Sequence, residues 1–364
     1  MPDEQVTAPF VPGLRLAGEF YAEVVRPLLD EACPGLDHAA ALLGTGSEVL
    51  GFDSPRSTDH DWGPRLAILT GASVGTGAEP DGLAGLLDRR LPESFRGYPV
   101  FYPASRDPAG APRHWVEISA LRPFLEQLLG FDPSRQPAGV ADWLATPTQR
   151  LAEVTGGAVY HDGPGELTLV RARLAWYPDQ VWRYVLACQW QRIAQEEAFP
   201  GRCAEAGDEL GAAVVAARLA RDLMRLCLLM RRRYPPYSKW LGSAFARLPE
   251  AAAIGPALIA ALAATDAGAR ERGLCRAYEL AAARHNELGL TDPVDPRTRP
   301  YYDRPFQVLD AGRLTAALLA TVTEPELRRR LPVGAIDQFT DSTDALGSEQ
   351  LCRAAVGASA RSEP

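Results

Sequence analysis

The sequence predicts an α+β protein with a strand-bearing first half and an all-α second half. Short apolar runs bounded by Gly, Pro or Asp, which are typical of strands, are confined to about the first 170 residues. Long segments rich in Ala, Leu and Arg, with helical periodicity, fill the rest of the 364 residues. This change of period lies near residues 165–175. We therefore predict one domain over residues 1–170 and a helical bundle over 171–364.

The individual elements follow from the same patterns. In the first half, residues 14–31 have helical spacing with Pro27 as a possible kink, and residues 121–130 predict a helix that ends at Gly130. Strands are predicted at 39–43, 65–70, 98–102, 115–119 and within 156–163. Helices of the second half are predicted at 179–199, 208–233, 250–264, 267–289 and 310–331.

Charge and composition exclude some classes of protein. With 38 Lys and Arg against 46 Asp and Glu the net charge is −8, which argues against a protein that binds nucleic acid through its phosphates. A small anionic ligand in a local cationic pocket remains compatible with this charge. Residues 1–10 lack the features of a secretion signal, and the apolar stretch 251–264 is too short to span a bilayer. We expect a cytoplasmic protein with no membrane partner, and its oligomeric state stays open.

Residues 44–61, which follow the first predicted strand, carry the most informative motif. Gly46 permits a tight turn, and Ser47 is expected near the start of a helix, where free N–H groups and a hydroxyl can hold a phosphate. Asp59 and Asp61 are expected at the start of the next strand. There, residues two apart face the same side, and His60 would face the other.

Two carboxylates on one face need a cation between them, and Mg²⁺ with its preference for oxygen ligands is the natural one. A third carboxylate would allow a second metal ion. Glu117 is the candidate, because it interrupts the apolar strand 115–119 and, if buried, would need a metal or an Arg beside it. Taken alone, however, the Asp pair could be a solvated turn, and Glu117 could be an ion-paired strand residue.

In order and spacing, these residues resemble the DNA polymerase beta-type nucleotidyltransferase superfamily. Its pattern is a strand, Gly-Ser, Asp-x-Asp, and a third acid between apolar residues, matched here by Gly46-Ser47, Asp59-x-Asp61 and Glu117. The two-domain layout is similar to that of aminoglycoside nucleotidyltransferases. Over nearly the whole chain, the sequence looks most like an uncharacterised bacterial family of this superfamily, which shares the stretches at 59–65, 237–240 and 337–344. The polar His60 and the Ser57-Thr58 that precede the pair depart from the superfamily pattern.

The resemblance implies a mixed sheet with flanking helices and an enzyme that transfers a nucleoside monophosphate. An acceptor hydroxyl would attack the α-phosphorus of a nucleoside triphosphate, and pyrophosphate would leave. Asp59, Asp61 and Glu117 would hold one or two Mg²⁺ ions as catalytic and metal-binding residues. Gly46 and Ser47, with Ser57 beside the acidic pair, would bind the triphosphate, most simply ATP. The acceptor would be a small hydroxyl-bearing molecule such as a sugar.

Two further residues of the helical half are candidates through the same resemblance. Lys239 is the only lysine of the chain and would contact the triphosphate, although chance retention of a surface lysine is an equal alternative. Glu197 would act as general base on the acceptor hydroxyl. The alternative is that Glu197 forms an ion pair at the end of its helix and has no catalytic role. Two alternative functions stay open: a catalytically silent relative that binds nucleotide or a partner, and a transferase that adds AMP or UMP to a protein.

Overall fold

A computed structural model of the chain describes residues 10–59, 62–71, 80–102 and 112–359. The chain divides into two compact units. The first comprises residues 1–137 and 150–175, and the second comprises residues 138–149 and 176–364. The segment 138–149 precedes the predicted boundary at residue 170, yet it belongs to the second, helical unit.

Both helices and strands make up the first unit, as its sequence pattern predicts. Its described helices are α1 (Gly13–Phe20), a π-helical stretch (Tyr21–Val25), α2 (Arg26–Ala32), a 3₁₀ helix (Pro55–Asp59), α3 (Pro80–Arg90) and α4 (Leu121–Leu129). Its strands before residue 121 are β1 (His38–Leu42), β2 (Leu66–Thr70), β3 (Ser94–Phe95), β4 (Tyr98–Pro99), β5 (Phe101–Tyr102), β6 (Arg113–His114) and β7 (Val116–Ala120). After α5 (Val140–Ala145) of the helical unit, α6 (Thr148–Thr155) crosses back into the first unit, followed by β8 (Ala158–Asp162) and α7 (Glu166–Leu174).

Among the described residues, four strands form one mixed sheet in the order β7-β2-β1-β8. β1 is antiparallel to both β2 and β8, whereas β2 and β7 are parallel. The predicted α+β class with a mixed sheet is confirmed at this level. One face of the sheet packs through Ala40, Ile68 and Val116 against the helices that precede β1 and against α3. β1 and β2 are buried along their whole length. This explains why their sequences are largely apolar and lack the alternation of a strand with one exposed face.

Two predicted elements of this unit differ from the structure. The predicted strand 98–102 is split into β4 and β5, which belong to different two-stranded sheets. The fully buried Val100 lies between them, and its N–H donates to the Glu93 carbonyl at 3.0 Å. The predicted helix 14–31 does form, but the irregularity lies at the π-helical stretch Tyr21–Val25. Pro27 sits in the first turn of α2, directly after this stretch.

The second unit is helical, with one short pair of strands. It contains α5 and, after residue 175, α8 (Asp179–Glu196), α9 (Phe199–Glu205), α10 (Glu209–Met230), α11 (Ser238–Ala246), α12 (Ala251–Ala263), α13 (Ala267–Asn286), β9 (Arg299–Pro300), β10 (Gln307–Val308), α14 (Gly312–Ala320), α15 (Pro325–Arg328), α16 (Ile336–Phe339), α17 (Thr343–Gly347) and α18 (Glu349–Ala358). The sequence also explains where some helices begin. Asp208 caps α10 by accepting from the Gly211 N–H, and Asp266 caps α13 by accepting from the Ala269 N–H, each at 2.8 Å.

Polar contacts hold the segment 138–149 within the helical unit. The N–H of Thr148 donates to the carboxylate of Asp337 at 2.8 Å, and Arg353 pairs with Asp142 at 2.9 Å. Trp143 also packs edge-on against Tyr177, with ring centroids 5.5 Å apart. These contacts reach far along the chain, so a boundary drawn from local periodicity could not include them.

Large aromatic side chains fill the core of the helical unit. Trp190, Tyr184 and Tyr278 are fully buried. The indole N–H of Trp190 donates to Nδ1 of His285 at 3.2 Å, which requires a neutral ring, and burial lowers the pKa of His285 to about 4. None of the helices within the described ranges has the length and apolar character that a membrane span requires.

Candidate functional site

Sheet topology gathers several of the predicted site residues of the first unit, Gly46, Ser47 and Glu117, at one end of the strands. β1 runs antiparallel to β2, with Ala41 opposite Ala67, so the chain leaves β1 where it enters β2. β7 runs parallel to β2, with Glu117 opposite Ala67, so β7 begins at the same end. The turn that contains Gly46 and Ser47 follows β1 directly. We call the residues Gly46, Ser47, Glu48, Ser57, Arg65 and Glu117 the strand-end cluster.

Only glycine fits at position 46. Its φ of +138° is a backbone conformation that other residues rarely adopt. A Cβ atom there would also lie 2.7 Å from both Nη2 of Arg65 and Oε2 of Glu48. The sequence-based expectation of a tight turn at Gly46 is therefore correct. The turn is tight because two charged side chains pass directly beneath it.

The expected helix after Ser47 is absent, and this expectation was wrong. Residues 47–51 form a single turn instead. The N–H of Phe52 donates to the Ser47 carbonyl at 2.8 Å, and the N–H of Gly51 donates to the Glu48 carbonyl at 2.9 Å. This bonding pattern, with Gly51 at a φ of +67°, is the one that normally ends a helix. One turn thus forms and closes at once.

Two of the predicted ligand-binding residues touch. The hydroxyl of Ser47 donates to the hydroxyl oxygen of Ser57 at 3.4 Å, and the N–H of Ser54 donates to the same oxygen at 3.1 Å. Ser57 belongs to the 3₁₀ helix Pro55–Asp59, where Thr58 donates to the Pro55 carbonyl at 3.0 Å. The Gly-Ser turn and the segment that leads to the acidic pair are therefore joined by a direct hydroxyl contact.

The predicted position of Asp59 at the start of a strand was also wrong. Asp59 ends the 3₁₀ helix, and β2 begins only at Leu66. The local reason is the turn chemistry of Ser54-Pro55 and Gly63-Pro64, which separates this segment from the strand. His60 and Asp61 lie outside the described residues, as does the side chain of Asp59. The metal-binding role of Asp59 and Asp61 stays a prediction.

A buried ion pair that sequence reasoning missed lies beneath the turn. Nε of Arg65 is 3.0 Å from Oε1 of Glu48, whose side chain is 2% exposed. Arg65 also donates to the carbonyl of Thr45. Burial raises the pKa of Glu48, and the charge of Arg65 opposes that shift. A charged residue between Ser47 and the apolar Val49 was the available signal for this pair, but no spacing rule connects it to Arg65.

Glu117 lies near the start of β7, beside Ala67 of β2. It is exposed, because β7 is an edge strand of the sheet. Partial desolvation nevertheless raises the pKa of its carboxyl, and the charge of Arg65 lowers it in opposition. Within the described part of the chain, the carboxylate of Glu117 forms no hydrogen bond or salt bridge. Its oxygens therefore fit a role as ligands of a hard cation such as Mg²⁺.

An aromatic pair flanks the strand-end cluster. The rings of Tyr102 and Trp115 stack with centroids 3.8 Å apart, and the Tyr102 hydroxyl donates to the Trp62 carbonyl at 3.2 Å. Burial raises the pKa of Tyr102, and the positive charge of Arg65 opposes that shift. Tyr102 therefore stays neutral at physiological pH and acts as a wall beside the guanidinium.

The remaining candidates, Lys239 and Glu197, belong to the helical unit. Lys239 is exposed in the first turn of α11, with its ammonium 5.0 Å from the ring centroid of Trp240. Glu197 is buried and accepts backbone N–H groups of Leu309, Asp310 and Ala311 at 2.8, 3.1 and 2.9 Å. These hydrogen bonds explain why an acidic side chain is buried here, because the carboxylate anchors the segment before α14. The triphosphate role of Lys239 and the general-base role of Glu197 stay predictions.

Three comparisons relate the chain to known proteins. A family model described as a domain of unknown function (DUF4037) matches residues 143–241, less than a third of the chain. No curated protein matches the chain. Among solved structures, the chain is similar to a nucleotidyltransferase-like protein from Exiguobacterium sibiricum. The sequence identity is 12% and the TM-score 0.34, over 86% of this chain and 91% of that chain.

Proposed function

We propose that the protein is a Mg²⁺-dependent nucleotidyltransferase that moves a nucleoside monophosphate, AMP in the simplest case, onto a hydroxyl of a small molecule. The observation that carries the proposal is the contact between the hydroxyls of Ser47 and Ser57 at the strand ends. This contact joins the Gly-Ser turn to the 3₁₀ helix that ends at Asp59, at the end of the sheet where β7, with Glu117 as its second residue, begins.

The chain's own residues would divide the work as follows. The Gly46-Ser47 turn and Ser57 would bind the triphosphate through hydroxyl and N–H groups, and Lys239 would contribute a compact positive charge. Asp59, Asp61 and Glu117 would hold one or two Mg²⁺ ions, which neutralise charge on the phosphates when bound. The buried Glu48–Arg65 pair would fix the position of the turn, because it fills the space beneath Gly46.

The reaction forms one bond and breaks one bond. The acceptor oxygen bonds to the α-phosphorus, the bond from that phosphorus to the bridging oxygen breaks, and pyrophosphate leaves with the electron pair. The hydroxyl proton passes to a base, for which Glu197 is the candidate. Catalysis would then depend mainly on positioning and on compensation of negative charge.

The test measures nucleotide binding and turnover on the full chain. Calorimetry with a non-hydrolysable ATP analogue, with and without MgCl₂, is followed by pyrophosphate release across hydroxyl-bearing metabolites. We expect Mg²⁺-dependent binding that Asp61→Asn and Glu117→Gln weaken, and turnover that they reduce by a factor of about 100 or more. The matched control is Glu126→Gln, which changes a partly exposed acid on α4 and should keep both nucleotide binding and turnover.

Other outcomes would separate the alternatives. Absence of any Mg²⁺-dependent nucleotide binding by the wild type would overturn the proposal. Binding without turnover on small molecules, together with mass shifts of AMP or UMP on lysate proteins, would identify a protein-modifying transferase. Binding without any transfer would identify a silent relative.

A further inference from the structure

A cavity of about 330 Å³ lies within the helical unit, between α9, α13 and the residues that lead into β10. It is at the small end of the range for small-molecule sites, which is about 300–1,000 Å³. Leu274 and Phe306 contribute apolar lining, and Phe306 packs closely against Gly201. A Cβ atom at position 201 would come within 2.4 Å of the Phe306 ring, so glycine there allows this wall to form.

Three carboxylates line the cavity, and two of them lack a positive partner. Glu205 pairs with Arg304 at 2.5 Å. Glu197 accepts only from backbone N–H groups, and Glu271 accepts the N–H of Gln307 at 3.1 Å. In the described ranges, neither Glu197 nor Glu271 has a salt bridge. Glu271 therefore places a negative charge at the cavity wall that its hydrogen bond does not neutralise.

The single arginine of the cavity lining does not neutralise this charge. Arg270 is buried and already committed, with one nitrogen 2.9 Å from Glu209 and another donating to the Ala264 carbonyl at 3.0 Å. Its charge is thus balanced by Glu209, which does not line the cavity. Charge in the cavity favours a cationic ligand over an anionic one.

A buried hydroxyl without a partner also lines the cavity. Tyr278 is 1% exposed, and its phenol oxygen has no hydrogen-bond partner among the described residues. Burial raises its pKa well above the ordinary value, and the negative charge of Glu197 adds to that shift, so the hydroxyl stays neutral. An unpaired buried hydroxyl is costly unless something supplies the missing bond. A ligand with a donor group would supply it.

We propose that this cavity binds a small organic cation, a primary amine with an apolar or hydroxylated body. The ammonium would donate to Glu197, Glu271 and the Tyr278 oxygen, and the body would lie against Leu274 and Phe306. A metal ion is disfavoured, because among the described residues no three His, Cys, Asp or Glu side chains converge as a metal site would need. The proposal shares Glu197 with the nucleotidyl-transfer proposal, but its tests change Glu271 and Tyr278, to which nucleotidyl transfer assigns no role.

The test uses calorimetry on the full chain with three matched probes: 2-phenylethylammonium, neutral 2-phenylethanol and anionic phenylacetate. We expect saturable binding of the ammonium compound and affinity at least roughly tenfold lower for the other two. Glu271→Gln keeps an acceptor for the Gln307 N–H and removes one charge, so ammonium affinity should fall roughly tenfold. Glu205→Gln, whose carboxylate is already paired with Arg304, is the control and should keep the affinity.

Tyr278→Phe separates a binding role from a structural one. Because the hydroxyl has no partner, its removal should leave the melting temperature of the free protein unchanged or raise it, while ammonium affinity falls several-fold. Equal binding of the neutral probe would overturn the proposal. So would unchanged affinity in both Glu271→Gln and Tyr278→Phe, or absence of ammonium binding up to about 10 mM.

Discussion

The guanidinium of Arg65 lies 3.0 Å from the carboxylate of Glu48, and both side chains lie directly beneath the Gly46 backbone. Both charged groups of a buried ion pair lose their hydration, so the pair is stable only when the two groups lie close together in a favourable geometry. Here the geometry comes from three elements, since Glu48 follows β1, Arg65 precedes β2 and Gly46 forms the turn above them. The pair thus links the phosphate-binding turn of the proposed site to the sheet.

Substitution of Gly46 tests this arrangement. In Gly46→Ala the new Cβ would lie 2.7 Å from atoms of both Arg65 and Glu48, at a φ that alanine rarely adopts. We expect a loss of about 2–4 kcal/mol in the free energy of unfolding, measured by urea denaturation. Gly44→Ala is the control, because its φ is also positive but its nearest atom is 3.7 Å away. Equal losses in the two variants would contradict the role assigned to the ion pair.

Removal of one charge should cost more than removal of both. Arg65→Met leaves the Glu48 carboxylate buried without its partner, and we expect it to cost about 3–5 kcal/mol of unfolding free energy. The double variant Arg65→Met with Glu48→Met should recover a large part of that loss, because no charge then remains buried. A double-mutant cycle by chemical denaturation measures the coupling. Strictly additive losses would show that the pair contributes little.

Features of the fold that depend on neighbouring residues in the sequence could be predicted, whereas features that depend on distant contacts could not. Predicted strands at 39–43, 65–70 and 115–119 match β1, β2 and β7 to within a residue at each end, because Gly, Pro and Asp bound short apolar runs. The helix at 121–130 likewise ends where Gly130 adopts a φ of +77°. These signals are local, and local chemistry decides such boundaries.

Other features depend on contacts that periodicity does not encode. The segment 138–149 belongs to the helical unit through Asp337 and Arg353, which are about 190 and 210 residues away in sequence. In the strand-end cluster, strand order could not be predicted, so the sequence left open whether Glu117 is buried, and the structure has it exposed on an edge strand. The hydroxyl contact of Ser47 and Ser57 joins the Gly-Ser turn to the 3₁₀ helix, and the metal-binding role of the acidic pair stays a prediction.

A second pair of glycines tests backbone packing against conformation alone. In Gly157→Ala the new Cβ would lie 1.9 Å from the Leu42 carbonyl oxygen of β1, at a φ of +64°. Gly165→Ala has a φ of +74° and no atom within 4 Å. We expect about 1–2 kcal/mol for Gly165→Ala, the conformational cost alone, and a larger loss or failure to fold for Gly157→Ala. Thermal unfolding measures the loss of stability in each variant. A smaller loss for Gly157→Ala than for Gly165→Ala would refute the close approach of the Gly157 backbone to β1.

The last prediction concerns the pH dependence of stability at Glu197. Burial raises the pKa of this carboxyl to about 7, against the bonds from the Ala311, Leu309 and Asp310 N–H groups, which lower it. A raised pKa in the folded state means that the folded protein holds the proton more tightly than the unfolded chain. The resulting stabilisation is complete below the unfolded value, near 4.5, and is lost as pH rises through 7.

The variant Glu197→Gln cannot titrate, so it removes this dependence. It also loses one of the two acceptor oxygens that hold Leu309, Asp310 and Ala311, and it should therefore be less stable than the wild type by about 1–3 kcal/mol at pH 4.5. Between pH 4.5 and 7 the free energy of unfolding of the wild type should fall, relative to that of the variant, by up to about 3 kcal/mol. Urea denaturation of both proteins at half-unit pH steps measures the difference. If that difference stayed constant across the range, Glu197 would titrate alike in the folded and unfolded states.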